Sequence, residues 1–476
     1  MLFNSIEYAI FLPVVFIIYW LLPHKYRWIL LLISSYYFYM SWNPKYIVLI
    51  LLTTVVSYLA GRYIDGTDNK THRKAVLSAS LTVCLGLLFV FKYFNFFSES
   101  IATLCSSVAI PMHPVTLKLL LPVGISFYTF QTLSYVIDVY NGKVRAERHF
   151  GIYAVFISFF PQLVAGPIER TDKLLPQIRS EKRFDYESAA YGLKLMAWGF
   201  FKKLAIADAV SVYVDNAYAT LTDCTGLDLF MAVFLFTIQI YCDFSGYSDI
   251  AVGTAKLLGI DLISNFRSPY FAASIREFWS RWHISLSTWF RDYVYIPLGG
   301  NRCSKIKRDR NLLITFLLSG LWHGANWTYV IWGGIHGLGQ IAENRLLKKD
   351  RGNSSRFLTV IRWAVVFAFC NAAWVFFRAP SLKDALYVIK TLIMDLRYPS
   401  RFRQTTLGLD QPEFLQTMFL ILIMVAYDFA SVKADVIKWI SARNVYMRWA
   451  VYLVLIWVIL AFMPPSGKTE FVYFQF

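Results

Sequence analysis

The chain has 476 residues, a net charge of +17 and a hydrophobic fraction of 57%, while only 16% of its residues are charged. This composition excludes an ordinary soluble domain, which is less apolar and more charged. Several apolar runs of about 20 residues match the roughly 30 Å hydrocarbon core of a bilayer. We therefore predict an all-α integral membrane protein whose helical bundle uses the whole chain.

The positive charge is assigned to loops that face an anionic cytoplasmic leaflet, because no basic segment has the interleaving of a nucleic-acid groove. The six cysteines are scattered without a CxxC pair, and no histidine has a second ligand at helical spacing. We therefore expect no disulfide framework, no metal and no nucleic acid. No basic segment precedes the first apolar run, which predicts a retained membrane helix rather than a cleaved signal.

Charges between the apolar runs give the orientation of the first helices. His24, Lys25 and Arg27 follow the first run, so this end is predicted to face the cytoplasm and the N-terminus to lie outside. Trp42-Asn43-Pro44 predicts the turn of a hairpin. The predicted membrane helices of this part cover residues 3–22, 26–41, 46–61, 75–97 and 119–140, with an outer loop over 98–116.

The middle of the chain contains shorter and interrupted runs. Residues 152–163 are only about 18 Å long as a helix, too short to span, and lie between two basic segments. They predict a re-entrant element that breaks at Gly166 and Pro167. Lys194, Lys202 and Lys203 interrupt residues 186–214, so part of this stretch is predicted to lie in the membrane interface.

The long run over 227–258 contains Asp243 and Asp249, and carboxylates in such a run are expected to face the bundle interior. Either they pair with buried lysine or arginine, or they serve the reaction. Residues 276–291 predict one amphipathic helix with a polar stripe of Arg276, Ser280, His283, Ser287 and Arg291.

Two interpretations of this stripe remain open. The helix lies in the interface with its arginines on lipid phosphates. Alternatively, His283 faces a reaction cavity, and Arg276 and Arg281 receive an anionic acyl donor such as the phosphates of coenzyme A.

Residues 311–339 form the central feature of the sequence: an apolar run, then Trp322-His323-Gly324, then a second apolar run. Basic residues flank both ends, which predicts a re-entrant hairpin with His323 about 15 Å from the inner face. A histidine at that depth is a candidate functional residue, unless it is a neutral core histidine paired with a neighbouring helix. Asn326 is a candidate partner of His323 or of a substrate, and His336 is a further candidate.

Three more crossings, over 357–377, 414–430 and 449–463, close the bundle, and 381–394 reads as an amphipathic helix on the outer side. About ten crossings and two re-entrant elements then place both termini outside. The arginines of the outer segment 397–412 fit this rule poorly. We treat 1–476 as one domain, with N-terminal helices over 1–140, a core over 141–345 and C-terminal helices over 346–476.

Motifs along nearly the whole chain resemble those of the membrane-bound O-acyltransferase (MBOAT) family, in its alginate O-acetyltransferase branch. They are GISFYTFQ (124–131), FPQLVAGP (160–167), YCDFSGYSD (241–249), FWSRWHISLS (278–287), PLGGNR (297–302), GLWHGA (320–325) and the terminal YFQF (473–476). The resemblance implies a multi-helix bundle with re-entrant and interfacial helices around a central cavity. It identifies His323 as the catalytic histidine and His283 as the second one.

The resemblance also implies that this protein lies in the cell membrane and uses an acetyl-CoA or other acyl thioester donor, with no bound cofactor. It further implies a cell-surface polysaccharide acceptor and a separate extracytoplasmic acyltransferase partner. We assign Arg276, Arg281, Asn326, Asp243 and Gln131 to substrate or donor binding. The chemistry is consistent, because acyl transfer to a hydroxyl needs a base and oxyanion stabilisation. No GxSxG motif is present, so direct attack with His323 as base is the simplest expectation.

Two alternatives stay open. One is an enzyme that resembles the D-alanyl transfer protein of teichoic acids and takes its acyl group from a carrier protein; the PLGGNR and YFQF motifs favour the acetyltransferase branch. The other is a transporter whose buried polar residues line a pathway. Transporters commonly show internal repeats with broken helices, and no such repeat is visible here.

Overall fold

The structure is a computed structural model that describes residues 1–164, 166–346, 355–397 and 411–462. Throughout these ranges the secondary structure is helical, without a β-strand, so the predicted all-α class is confirmed. The C-terminal YFQF motif and most of the predicted outer segment 397–412 lie outside the described residues.

The chain divides into two compact units, residues 1–193 with 251–263, and residues 194–250 with 264–476. The first unit contains α1 (Ile6–Leu21), α2 (His24–Met40), α3 (Ile47–Asp65), α4 (Lys70–Leu88), α5 (Phe94–Ser107), α6 (Ile125–Tyr140), α7 (Phe150–Ser158), α8 (Phe160–Leu163) and α9 (Thr171–Arg179). Two helices contribute residues to both units, α10 (Tyr186–Phe200) and α12 (Gly226–Leu257). The predicted segmentation at residues 140 and 345 stays a prediction.

The second unit contains the remaining helices: α11 (Asp208–Ala219), α13 (Ile275–Arg281), α14 (Ile284–Phe290), α15 (Lys305–His323), α16 (Trp327–Leu346), α17 (Arg356–Arg378), α18 (Leu382–Arg397), α19 (Gln411–Ser431), α20 (Val436–Ser441) and α21 (Val445–Ala461). Two short 3₁₀ turns and three π-helical segments complete the described helical structure. They cover Pro44–Tyr46, Pro269–Phe271, Phe89–Tyr93, Phe201–Ala207 and Arg291–Tyr295.

Among the described residues, five helical stretches are long and apolar enough to cross a bilayer: Pro44–Asp65, Lys70–Ser107, Gly226–Leu257, Arg356–Arg378 and Pro412–Ser431. Two shorter helices, Ile6–Leu21 and Val445–Ala461, are also apolar. Outward-facing side chains support the same conclusion, since Ile6 is 70% and Leu21 is 78% exposed on α1. Apolar faces of this extent require a lipid environment, so the protein is a multi-pass membrane protein. The count of about ten crossings stays a prediction.

Two predicted boundaries in the first unit are wrong. Helix continues from α4 through a π-helical turn into α5 and ends at Ser107, so the outer loop does not begin at residue 98. Ile101 and Leu104 keep the apolar pattern beyond that point. Helix α6 begins at Ile125 instead of residue 119, because Gly124 adopts φ +75°, where a Cβ would lie 2.5 Å from the carbonyl oxygen of Leu163.

The short run predicted over 152–163 is two helices, α7 and α8, which meet at Phe159 instead of breaking at residue 166. The break leaves carbonyl groups of the last turn of α7 without helical partners. The Phe156 carbonyl accepts hydrogen bonds from Nε2 of Gln131 at 2.7 Å and Nε2 of Gln162 at 2.8 Å. The re-entrant path of this element stays a prediction, but the break itself is stabilised by buried amides.

Lys202 and Lys203 are buried within the second unit, and the interfacial placement of part of residues 186–214 stays a prediction. Both are 3% exposed, in the π-helical segment between α10 and α11. Lys203 pairs with Asp208 at 2.8 Å and Asp243 at 2.6 Å, and Lys202 pairs with Asp249 at 2.7 Å. Buried charges are tolerated when they are paired, so the pairing interpretation of both carboxylates is the one that the structure supports.

Two glycines allow this ion-pair network to form. A Cβ at Gly199 would lie 2.6 Å from the carbonyl oxygen of Gly246, and a Cβ at Gly246 would lie 2.7 Å from that of Gly199. The backbones therefore touch at a point where any larger side chain would separate them. This close approach brings the lysines within reach of the carboxylates on α12.

Helices α15 and α16 form an antiparallel hairpin around Trp322-His323-Gly324, while its re-entrant path stays a prediction. A Cβ at Gly320 would overlap the carbonyl oxygen of Tyr329, and a Cβ at Gly333 would overlap that of Phe316. Small residues of this kind let membrane helices pack by direct backbone contact. The hairpin therefore fixes the end of α15, where His323 lies.

Replacing Lys203 with Met is expected to destabilise the protein by about 3–5 kcal/mol, because it leaves two buried carboxylates without their cation. The matched control is Lys256→Met, which removes a pair whose Asp261 partner is 72% exposed; it is expected to cost less than about 1 kcal/mol. Thermal unfolding of the detergent-purified variants measures both. Equal unfolding temperatures for the two variants would contradict the role given to Lys203.

Candidate active site

His323 is the last residue of α15 and is enclosed by aromatic rings. Its side chain is buried, with the residue 3% exposed. The ring centroids of Trp322, Trp332 and Phe377 lie 5.0, 5.1 and 5.3 Å from that of His323, all in edge-to-face geometry. Rings in this arrangement restrict the orientation of the imidazole and exclude water from it.

His283 does not lie on a continuous amphipathic helix, so the predicted stripe over 276–291 is wrong. Helix α13 ends at Arg281, α14 begins at Ile284, and His283 between them has φ +41°. Few residues other than glycine adopt this left-handed conformation, and where they do the surrounding structure must hold them. The break turns His283 inward, where it is fully buried, whereas Arg276 and Arg291 remain exposed.

Asn265 holds this strained turn, a role that the sequence analysis missed. Its backbone carbonyl accepts the N–H of Ile284 at 3.0 Å, and its side-chain oxygen accepts the N–H of Ser285 at 3.2 Å. Both N–H groups belong to the first turn of α14, which lacks helical acceptors. Asn265 is fully buried and lies 20 residues from Ser285 in sequence, so no local pattern points to it.

Helix α13 is fixed by a capping box that the sequence does contain. The hydroxyl of Ser274 accepts the N–H of Glu277 at 2.9 Å, and the Glu277 carboxylate accepts the N–H of Ala273 at 2.7 Å. Glu343 of α16 accepts the N–H groups of Ile275 and Arg276 at 3.2 and 3.1 Å. Hydrogen bonds from its own residues and from α16 of the hairpin therefore stabilise the start of α13.

The fold brings His283 and His323, the two histidines that the family resemblance implies for the site, close together. Their ring centroids are 6.5 Å apart, and Phe244 of α12 lies 4.6 Å from His283. Burial lowers the pKa of the His283 imidazole to about 3, so this ring is neutral at physiological pH. The two buried imidazoles are therefore near neighbours within one aromatic cluster.

The two candidate arginines have different surroundings. Arg281 forms an ion pair with Glu277 at 2.5 Å and also donates to the carbonyl groups of Ser268 and Phe271. Its guanidinium is therefore engaged in holding the loop before α13. Arg276 is exposed and remains the more accessible of the two for an anionic donor.

The side chains of Asn326 and Asp243 both bind other groups of the protein. The Asn326 side chain accepts the N–H of Thr328 at 3.0 Å, which caps α16, and donates to the carbonyl of Pro380 at 3.0 Å. Asp243 is the partner of Lys203, as described above. Gln131 belongs to the first unit, where it donates to Phe156 and accepts from Gln162 at 3.2 Å. Binding roles for these three residues stay predictions.

Within the described part of the chain, no three His, Cys, Asp or Glu side chains come together as metal ligands. The side chains that surround His283 and His323 are mainly imidazole and aromatic rings. Such a site can accept a proton, donate a neutral hydrogen bond and exclude water.

Comparisons with known proteins identify the family of this chain. Residues 149–381 match the membrane-bound O-acyltransferase family. The chain is 41% identical to a probable alginate O-acetylase, AlgI, of Azotobacter vinelandii over 81% of this chain and 76% of that protein. It is 35% identical to a peptidoglycan O-acetyltransferase of Helicobacter pylori over 83% and 80%, and 28% identical to a teichoic acid D-alanyltransferase of Bacillus subtilis over 57% and 72%.

Both the His283 and the His323 segments lie inside the matched region. The similarity to O-acetyltransferases extends over four fifths of the chain, and the apolar helices agree with a membrane enzyme. This chain therefore belongs to the membrane-bound O-acyltransferase family and is a multi-pass membrane O-acyltransferase.

Proposed function

We propose that this enzyme transfers an acetyl or other short acyl group from a cytoplasmic thioester to hydroxyl groups of a cell-surface polysaccharide, with His323 as general base. The observation that carries the proposal is the buried pair of His283 and His323, whose rings are 6.5 Å apart. The relatives support the reaction and acceptor class, since one is a probable alginate O-acetylase and another a peptidoglycan O-acetyltransferase.

In the proposed reaction, a ring nitrogen of His323 accepts the proton of the acceptor hydroxyl while the hydroxyl oxygen attacks the thioester carbonyl carbon. The carbonyl oxygen then carries the negative charge of the tetrahedral intermediate. When this intermediate collapses, the carbon–sulfur bond breaks and the imidazolium returns its proton to the leaving thiolate. A neutral imidazole suits this exchange because its ordinary pKa lies near the working pH.

His283 is proposed to stabilise the intermediate. Its neutral ring carries one N–H group, and a donor held in place before the reaction stabilises a developing oxyanion without reorganisation. The two hydrogen bonds that Asn265 accepts and the contact with Phe244 keep the His283 ring in place. Water exclusion strengthens this interaction, because charges attract dipoles more strongly in a medium of low dielectric constant.

The aromatic rings beside His323 are proposed to limit the acyl group to a short one. Trp332, Trp374 and Phe377 contact one another at centroid distances of 5.0–5.4 Å, and all three are almost completely buried. Close packing of this kind leaves no space for further methylene groups on that side. This wall supports an acetyl-sized substrate, with coenzyme A or a carrier protein as the thiol.

The proposed donor side is cytoplasmic, and both chain termini are proposed to lie outside the cell membrane. Arg302, Lys305, Lys307, Arg308 and Arg310 precede the apolar part of α15, and such clusters remain on the cytoplasmic side. Exposed Arg276 is the candidate contact for donor phosphates. On the outer side, a separate extracytoplasmic acyltransferase is proposed to receive the acyl group when this enzyme does not acylate the polymer itself.

His323→Ala is expected to lower acyl transfer by about 10²–10⁴-fold, the usual contribution of a general base. The measurement is acetyl ester on surface polysaccharide, together with transfer from labelled acetyl-CoA in membrane vesicles. His72→Ala, at an exposed histidine of α4, is the control and should leave transfer unchanged. If the His323→Ala protein inserts in the membrane and still transfers at the wild-type rate, the assignment of His323 as the base is wrong. If the wild-type enzyme accepts acyl groups only from an acyl carrier protein, the D-alanyl type of reaction is favoured.

Phe377→Leu is expected to raise the rate of butyryl relative to acetyl transfer on the order of tenfold, since one or two methylenes of pocket space decide selectivity of this size. Competition between acetyl and butyryl thioesters in vesicles measures the ratio. Phe38→Leu removes part of another fully buried phenyl ring, in the first unit, and should not alter it. An unchanged ratio in Phe377→Leu would show that this wall does not limit the acyl chain.

A topology reporter fused after Arg308 is expected to be cytoplasmic, because the basic residues before α15 oppose translocation. A second reporter fused after Ser381, beyond α17, should read outside. Paired enzyme fusions that are active on only one side of the membrane report each position. An outside signal at Arg308 would overturn the cytoplasmic placement of the donor side.

A further inference from the structure

His336 is a buried histidine that the proposed reaction does not use. It lies on α16 and is completely buried. Its Nδ1 accepts a hydrogen bond from Nε1–H of Trp279 at 3.2 Å. An indole N–H can only donate, so Nδ1 carries no proton and the proton of the neutral ring lies on Nε2. The bond therefore fixes both the orientation and the tautomer of His336.

Trp332 connects His336 to His323. Its ring centroid lies 5.0 Å from that of His336 and 5.1 Å from that of His323, at interplanar angles of 69° and 88°. On a third side it stacks on Trp374 at 5.4 Å. Trp332 is completely buried, and close-packed rings transmit a displacement to their neighbours. The orientation of His336 therefore affects the position of Trp332, which contacts one side of His323.

We propose that His336 is a positioning residue for acyl transfer, which maintains the orientation of His323 through Trp332. The inference rests on the role of His323 proposed above. A general base must reach the proton that it removes at hydrogen-bond distance. A misplacement of about 1 Å, even when it originates away from the reacting atoms, lowers the rate on the order of 10²-fold.

The surroundings of His336 explain why this position needs a histidine. Phe278, Phe316 and Phe369 lie 6.1, 6.4 and 5.3 Å from its ring centroid, so a phenyl ring would suit the aromatic packing. A phenyl ring, however, offers no acceptor to Trp279, whose indole N–H would be left buried without a partner. Trp279 and His336 therefore act as one hydrogen-bonded unit.

A double-mutant cycle tests this inference, with Trp279→Phe, His336→Phe and the double variant. Each single change keeps an aromatic ring but removes the hydrogen bond. We expect kcat to fall about tenfold and KM to change less than about twofold, because a displaced base affects the transition state and not substrate binding. The double variant is expected to be no slower than His336→Phe, because both changes remove the same bond. The control Trp20→Phe removes an indole hydrogen bond to Leu257 in the first unit and should leave kcat unchanged.

Three outcomes would overturn the positioning role. These are an unchanged kcat in Trp279→Phe, strictly additive losses in the double variant, or a loss of thermal stability without a loss of kcat per folded molecule. If His336→Phe does not accumulate in the membrane, Trp279→Phe alone decides. His323→Ala separates the two proposals: activity retained there removes the proposed base, whereas activity lost there with normal kcat in Trp279→Phe removes only the role of His336.

Discussion

A polar group that is buried away from water needs a partner inside the protein, and this constraint governs the second unit. Lys202 and Lys203 are adjacent in sequence, yet both are buried and paired with carboxylates. A π-helical turn directs both side chains inward, and the contact of Gly199 with Gly246 brings the two backbones close enough. Removing either feature would leave charges in a medium where they are costly. The ion pairs therefore fix α10 and α12 at the place where α12 presents Phe244 to His283.

The same constraint makes the histidine site rigid. His283 occupies a left-handed turn that Asn265 holds through two hydrogen bonds, and His323 ends a helix that is packed by glycine contacts. Neither histidine depends on an exposed loop. Preorganisation of this kind is what acyl transfer needs, because the base and the oxyanion donor must be in place before the thioester arrives. The aromatic rings around His323 add the exclusion of water.

The aromatic cluster has two separable functions. In the proposed reaction, Trp332, Trp374 and Phe377 limit the size of the acyl group. The hydrogen-bonded pair of Trp279 and His336 is proposed to keep Trp332 in position. Indole rings suit both functions, since they combine a large apolar surface with one hydrogen-bond donor. The single hydrogen bond between Trp279 and His336 gives the cluster an orientation that ring packing alone does not specify.

Local sequence patterns determined the membrane class, the long helix α12 and the hairpin at Trp322-His323-Gly324. Hydropathy, glycine and basic residues act over neighbouring positions, so these features can be predicted directly. The resemblance of the motifs also identified the family. Only the tertiary structure decided the break at His283, the burial of Lys202 and Lys203, the clamp from Asn265 and the bond between Trp279 and His336. The reason is physical, because each of these features depends on a close backbone contact or on a partner that lies at least 20 residues away in sequence. No periodicity along the chain specifies which distant side chain a buried polar group will meet.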